Sequence, residues 1–356
     1  MSEIKKKMKN KYINIKNIKI GPNYRPVIIA EIGINHNGSI ERAINIANSA
    51  IMAGAKIIKH QTHVLDDEMS EEAKKIKPGN SDLSIYKIIK SCALNEEDEY
   101  KLMKYIQKKG GVFISTPFSR KAVDRLEKFK VPAYKIGSGE CNNYLLVEYI
   151  AKKKKPIILS TGMNSIKTIK PATKILENYK IPYALLHCTN VYPTPTKLVR
   201  LDDIKVLEKN FPKAVIGLSD HSSNIYSALG SVTLGSSLIE KHFVDNKKAR
   251  GPDISASMDH NELKELIFGV NQIFLAKGTN NKNPIKEENK TINFAFASAV
   301  ATTDINKGDV LNLKNFFLLR PGTGDFNIHN YKKIIGKRAK KFIKKNTQIK
   351  KNHLIA

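Results

Sequence analysis

Cysteine is scarce in this chain: three residues, Cys92, Cys141 and Cys188, stand far apart with no CxxC pair. That spacing excludes a disulfide framework and a cysteine zinc site, and leaves buried, reduced thiols. Long apolar runs are absent too. None approaches the roughly 18 residues that cross a bilayer, and the Lys-rich first residues lack the apolar stretch of a secretory signal. A cytoplasmic location with no membrane partner is expected. Acidic residues are few, 33 against 61 Lys and Arg, for a formal net charge of +28. Such a charge suits either nucleic-acid phosphates or small anionic substrates. The lysines, however, are scattered through helices and loops among Ile and Asn. No zinc finger, RNP-like strand or helix-turn-helix accompanies them, which argues against a nucleic-acid partner.

What is present is an alternation. Short apolar runs begin at Val27 (VIIAEIG), Lys56 (KIIKHQ), Val112 (VFISTPF), Ala133 (AYKIGSG), Pro156 (PIILSTG), Tyr183 (YALLHCT), Ala214 (AVIGLSD) and Ser237 (SLIEKHF). Amphipathic stretches such as SIERAINIANSAIMAGA and EEDEYKLMKYIQKKG separate them, with polar caps before or glycine after. Strand then helix, eight times over, predicts an α/β fold, a (β/α)8 TIM barrel, spanning 27–277. Before it, YINIKNIKI within 1–26 reads as a hairpin that caps the barrel. The segment 64–95 is too long for an ordinary βα loop and is expected to act as a lid. A polar Asn- and Lys-rich linker, 278–291, leads to a small β-rich domain over 292–356.

The C-terminal ends of barrel strands carry the active site, and the alternation of side chains decides which residues face it. On the second strand Lys59 and Gln61 share the inner side, while Ile58 and His60 meet the helices. On the seventh, Gly217, Ser219 and His221 share one side; on the eighth, Leu238, Glu240 and His242 do. His221 and His242 therefore end adjacent strands, and closure of the barrel brings Glu31 nearby. Two imidazoles beside an acid suggest a divalent metal with open positions; two hydrogen-bonded core histidines satisfy the same parity. His36, His63, His187, His260, His329 and His353 are expected at the surface or in packing. Lys59, Lys135, Ser138, Thr116, Ser160, Asn190 and Ser219 end strands two to seven and make a floor for an anion. Its buried lysines are expected to lack an equal set of inward acids, so that a phosphorylated carboxylate would complete them.

These motifs resemble a known family. The runs AEIGINHNG, KHQTH, STPFS, YKIGSGECNN, ILSTGM, LLHCTNVYPTP, GLSDHS, EKHF and GPDISASM are similar to those of bacterial N-acetylneuraminate (sialic acid) synthase. The tail FAFASAVATTDINKGDVL and RPGTGDF resembles its C-terminal antifreeze-like SAF domain. The resemblance covers residues 25 to 350. It implies condensation of phosphoenolpyruvate (PEP) with N-acetylmannosamine, using a divalent ion, Mn2+ or else Co2+ or Mg2+. By that resemblance Lys59, Thr116, Lys135, Ser138, Ser160, Asn190 and Ser219 hold PEP, and His221 and His242 hold the metal. Gln61, Glu140, Tyr192 and Asp253 face the sugar, with Phe294 and Arg320 supplied by the C-terminal domain of the partner in an exchanged homodimer. Glu31 and Glu140 are the carboxylates expected in acid–base or cation-stabilising roles.

Three other functions are weighed beside it. A legionaminic acid synthase keeps the mechanism and takes 2,4-diacetamido-2,4,6-trideoxymannose, a choice that rests on a few sugar-facing residues. A sugar-phosphate synthase needs a second cluster of cations that the tail does not supply. An ice-associated binding protein needs neither metal ligands nor an anion pocket.

Overall fold

The computed structural model describes residues 11–77, 82–278 and 282–355. The first ten residues of the predicted cap, 78–81 of the predicted lid and 279–281 of the predicted linker lie outside them. The residues up to Gly278 form one unit and those from Thr279 onward a second.

In the first unit, β1 (Ile13–Ile15) and β2 (Ile18–Ile20) pair antiparallel as a hairpin, turning at Lys16 with φ of 52°. Eight parallel strands follow and close on themselves: β3 (Val27–Gly33), β4 (Ile57–Thr62), β5 (Val112–Pro117), β6 (Tyr134–Ile136), β7 (Ile157–Ser160), β8 (Tyr183–Cys188), β9 (Val215–Asp220) and β10 (Leu238–His242), with β10 hydrogen-bonded to β3. Each of the eight predicted apolar runs holds one of them. Alternation sorts their side chains into two cores. Ile29, Ile57, Val112, Ile114, Ile158, Leu186, Val215 and Leu238 fill the barrel interior, and Ile13, Ile15 and Ile20 of the hairpin join that cluster. The hairpin thus packs into the end opposite the strand C-termini. Outward partners such as Ile28, Ile58, Phe113, Leu159, Leu185 and Ile239 pack on the helices.

The helices follow local rules. Ser39 caps helix Ile40–Met52 by accepting from the Arg42 N–H, and Ala43, Ile46, Ala47 and Ala50 form its buried stripe. Helix Glu96–Lys108 carries Glu96, Glu97, Asp98 and Glu99 in its first turn, where the macrodipole favours negative charge. A capping box of Asp259 and Glu262 opens helix His260–Ala276. Among its described residues the segment read as a lid holds two short α-helices, Leu65–Glu68 and Ile85–Cys92, and a 3-10 turn, Glu71–Lys74, with Leu65, Ile85 and Ile89 packed with Ile34 in a small apolar cluster.

Near the start of the second unit a 3-10 turn, Lys286–Glu288, leads into a short helix, Asn289–Ala295, which begins in the polar stretch and runs past it. Beyond it β11 (Ser298–Ala301) pairs antiparallel with β12 (Phe316–Leu319), and isolated bridges such as Val310 to Arg338 add the rest of its β character. Ala299, Ile305, Leu311, Phe316, Ile334, Ile343 and Ile349 form its core.

Candidate active site

Where the inward stripe of each strand passes from Ile and Val to polar residues, the barrel opens into a cavity. It is lined by Glu31, Lys59, Gln61, Thr116, Lys135, Ser138, Ser160, Asn190, Tyr192, Ser219, His221 and His242, all assigned to the site from the sequence, together with Glu240, read there as inward without a role, Cys188, read there as a buried thiol, and Phe118. Backbone approach is close here. A Cβ on Gly162 would stand 1.9 Å from Asn190 Oδ1, so only glycine leaves room for that amide, and the Gly162 N–H donates to Ser138 Oγ at 3.0 Å. Gly33, at φ of +50°, turns the end of β3 away just past Glu31.

The two lysines are not without inward acids, and this corrects the sequence expectation. Lys59 Nζ lies 2.5 Å from Glu31 Oε2 and 3.9 Å from Glu240 Oε2, and donates to Thr116 Oγ1 at 3.1 Å. Lys135 Nζ lies 3.5 Å from Glu240 Oε1 and donates to Ser160 Oγ at 2.8 Å. Two ammoniums thus face two carboxylates. The signal was present in the parity of EKH, since Glu240 shares the inner side of β10 with His242, and burial demands a counter-charge for each lysine.

The four groups are unequal. Burial pushes the Glu31 carboxyl up, to about 7, and Glu240 adds to the push while Lys59 opposes it. Burial acts on Glu240 in the same sense, but Lys135 and Lys59 outweigh it and hold that carboxyl below its usual range. Lys59 is drawn down by burial and raised more by Glu240 and Glu31, ending above its usual range. Lys135 ends below, because burial exceeds what Glu240 returns.

His221 and His242 stand beside this cluster, ring centroids 5.4 Å apart. Tyr192 stacks on His221 at 4.1 Å and meets His242 edge-on at 5.9 Å. Burial pushes His221 down to about 4, and His242 well below its usual range, so both rings are neutral at pH 7. The Nδ1–H of His221 donates to the Thr189 carbonyl at 3.0 Å, which leaves Nε2 with its lone pair, 3.2 Å from the Tyr192 hydroxyl. Nδ1 of His242 is buried without a hydrogen-bond partner, 3.6 Å from Asp253 Oδ2. Burial raises Asp253 to about 6 against the pull of Lys59.

The remaining predicted residues are placed as follows. Gln61 donates to Glu31 Oε1 at 2.9 Å and contacts His63 Nε2 at 3.3 Å. His63, expected at the surface or in packing, also reaches Glu68 at 2.9 Å and stacks on Phe118 at 4.5 Å, so it orients Gln61. His60 does point to the helices: it bonds Glu99 Oε1 and His36 Nε2, each at 3.1 Å. Glu140 sits in the turn after β6, held by Asn143 at 2.8 Å, with its carboxyl raised by burial; its side chain is not among those lining the cavity. Phe294 and Arg320 belong to the second unit, where both are exposed. Cys92, Cys141 and Cys188 are free and buried. Among the described residues no helix is long and apolar enough to cross a membrane.

Comparison with known proteins places this architecture. The family model described as "NeuB family" matches residues 43–282, and that of the SAF domain matches 296–355. An uncharacterised protein of Methanocaldococcus jannaschii is 41% identical over 86% of this chain and 90% of its own. The N,N'-diacetyllegionaminic acid synthase of Campylobacter jejuni is 35% identical over 92% of this chain and 99% of its own. Among solved structures, the N-acetylneuraminic acid synthetase of Leptospira borgpetersenii, in complex with citrate, superposes with a TM-score of 0.73 at 30% identity, covering 79% of this chain and 95% of that one. Barrel and appended domain both agree with these matches, and the chain belongs to the NeuB family of sialic-acid-type synthases, with a SAF domain following its barrel in sequence.

Proposed function

We propose that the protein condenses PEP with an open-chain N-acetylated mannose-type sugar, releasing phosphate and giving a nine-carbon 2-keto acid. The observation that carries this reading is the pair of buried lysines, Lys59 and Lys135, ringed by hydroxyls in the same cavity as two neutral imidazoles. The cluster suits a compact anion with several oxygens. Lys59 and Lys135, with Thr116, Ser138, Ser160, Asn190 and Ser219, hold the phosphate and carboxylate of PEP.

His221 and His242 suit a divalent ion: both are neutral, the lone pair of His221 Nε2 meets only the Tyr192 hydroxyl, and Nδ1 of His242 is buried without a hydrogen-bond partner. Among the described residues no group of three or more His, Cys, Asp or Glu is arranged to hold a metal, so the two imidazoles are the ligands proposed from this chain. Mn2+ is the first choice and Co2+ or Mg2+ the others; when bound, the ion supplies Lewis acidity to the sugar aldehyde oxygen. Glu31 stabilises positive character at C2 of PEP or orients the water that quenches it. Gln61, Glu140, Tyr192 and Asp253 contact the sugar, joined by Phe294 and Arg320 of the partner chain in an exchanged homodimer. N-acetylmannosamine is the sugar the sequence resemblance implies. The Campylobacter relative, at 35% identity over nearly its whole length, favours 2,4-diacetamido-2,4,6-trideoxymannose as a second reading.

Phosphate release and 2-keto acid formation from PEP, measured with each sugar in parallel and with Mn2+ or chelator, test the proposal. Turnover with one sugar that stops on chelation is expected. Turnover that survives full metal removal refutes the metal role, and no turnover of PEP with either sugar refutes the substrate class.

A further inference from the structure

Lys241 is among the largest fully buried side chains in the protein, yet it points away from the cavity, and no step above uses it. Its ammonium meets Asp220 Oδ2 at 3.0 Å, with both side chains 1% exposed, and donates to the Ser222 carbonyl at 2.5 Å. Asp220 Oδ1 accepts from the Ser222 N–H at 2.9 Å. Asp220 and Lys241 are the outward neighbours of His221 and His242, one residue before each. They are also the last register partners of the β9–β10 ladder. Past that pair no ladder joins the two strand ends. The side-chain bonds take over there: the turn 220–222, with His221 at its centre, is tied at both ends to the residue covalently next to His242.

We propose that Asp220 and Lys241 are positioning residues, a buried clamp that sets the separation and facing of the His221 and His242 rings. A buried ion pair is poor evidence of stabilisation, because apolar groups of similar volume hold a core as well or better. What the pair supplies, and a Met against an Asn does not, is a directional cross-link with fixed length. The consequence for a divalent ion rests on the reading that these two rings bind one.

The double variant Asp220→Asn/Lys241→Met separates geometry from stability. Expected are a melting temperature of the metal-free protein at or above wild type, and a Mn2+ dissociation constant, by titration calorimetry, raised about 10- to 100-fold. A crystal structure of the metal-free double variant supplies the readout that needs no metal: the His221–Thr189 bond broken, or the rings displaced by more than about 0.5 Å. A folded variant with rings within that limit and, where wild type binds Mn2+, affinity within about threefold overturns the clamp. Wild type that binds no Mn2+ overturns the metal reading alone, and ring geometry then decides the clamp. Should the double variant not fold, Asp220→Asn, which keeps the shape and an acceptor for the Ser222 N–H, is put through the Mn2+ titration and the crystal structure with the same expected and overturning results, its melting temperature being expected below wild type because Lys241 loses its counter-charge.

Discussion

Glu240→Gln is the most informative single change, because that carboxylate serves both lysines. Gln keeps the volume and an oxygen for Ser219 Oγ, which donates to Glu240 Oε1 at 3.0 Å. Only the charge is lost. At an effective dielectric near 20, a unit charge at 3.5 Å from Lys135 and 3.9 Å from Lys59 interacts with each by about 4–5 kcal/mol before desolvation is counted. Removing one partner of a buried pair costs roughly 3–5 kcal/mol net, since the remaining charge stays buried. At roughly 2 °C per kcal/mol for a domain of this size, the melting temperature of the ligand-free variant is expected to fall by about 6–10 °C. Saturating PEP then returns the missing negative charge. Differential scanning fluorimetry with and without PEP is expected to give a larger ligand-induced shift for the variant than for wild type, where about 100-fold excess over Kd gives roughly 2.7 kcal/mol. A variant that melts with wild type refutes the pairing argument. One that melts low but gains no more from PEP than wild type refutes the idea that the ligand takes the place of the acid.

Two further outcomes are expected. Glu31 has its folded pKa raised to about 7 from an ordinary 4.5, so its contribution to stability is complete below about 4.5 and is lost as pH rises through about 7. Glu31→Gln is therefore expected to gain stability relative to wild type between pH 5 and pH 8, by up to roughly 3 kcal/mol in urea titrations, and a difference independent of pH contradicts the assigned burial effect. For the exchanged dimer, mixing inactive Arg320→Ala and His242→Ala chains under subunit exchange is expected to restore activity toward about half of wild type in the heterodimer, because one site draws both intact residues from different chains. A heterodimer verified by native mass measurement that stays inactive rules out completion in trans.

The sequence carried the barrel because its strands obey one rule over and over. Alternation within VIIAEIG or VIGLSD states which residues meet the helices and which the interior, and the structure sorts Ile28 from Ile29 and Ile216 from Val215 in that way. The same parity carried the cavity: Lys59, Gln61, Ser219 and His242 are inner residues simply by counting from inner Ile, Val and Leu. What escaped were relations between strands. Glu240 was legible as inward, but its place between Lys59 and Lys135 depends on the register of β10 with its neighbours and on the width of the barrel, which no single strand encodes. His63 escaped because its partner, Glu68, lies in the irregular segment after β4, where no periodicity states a direction. Lys241 shows the limit most plainly. Parity turns it to the helix side, where a lysine ordinarily runs outward to water, and only the Asp220 carboxylate and the Ser222 carbonyl, gathered by the turn after β9, make burial tolerable. The inward charges at the strand ends line a cavity where a ligand can meet them, whereas the outward pair of Asp220 and Lys241 lines none and meets only the backbone that carries His221.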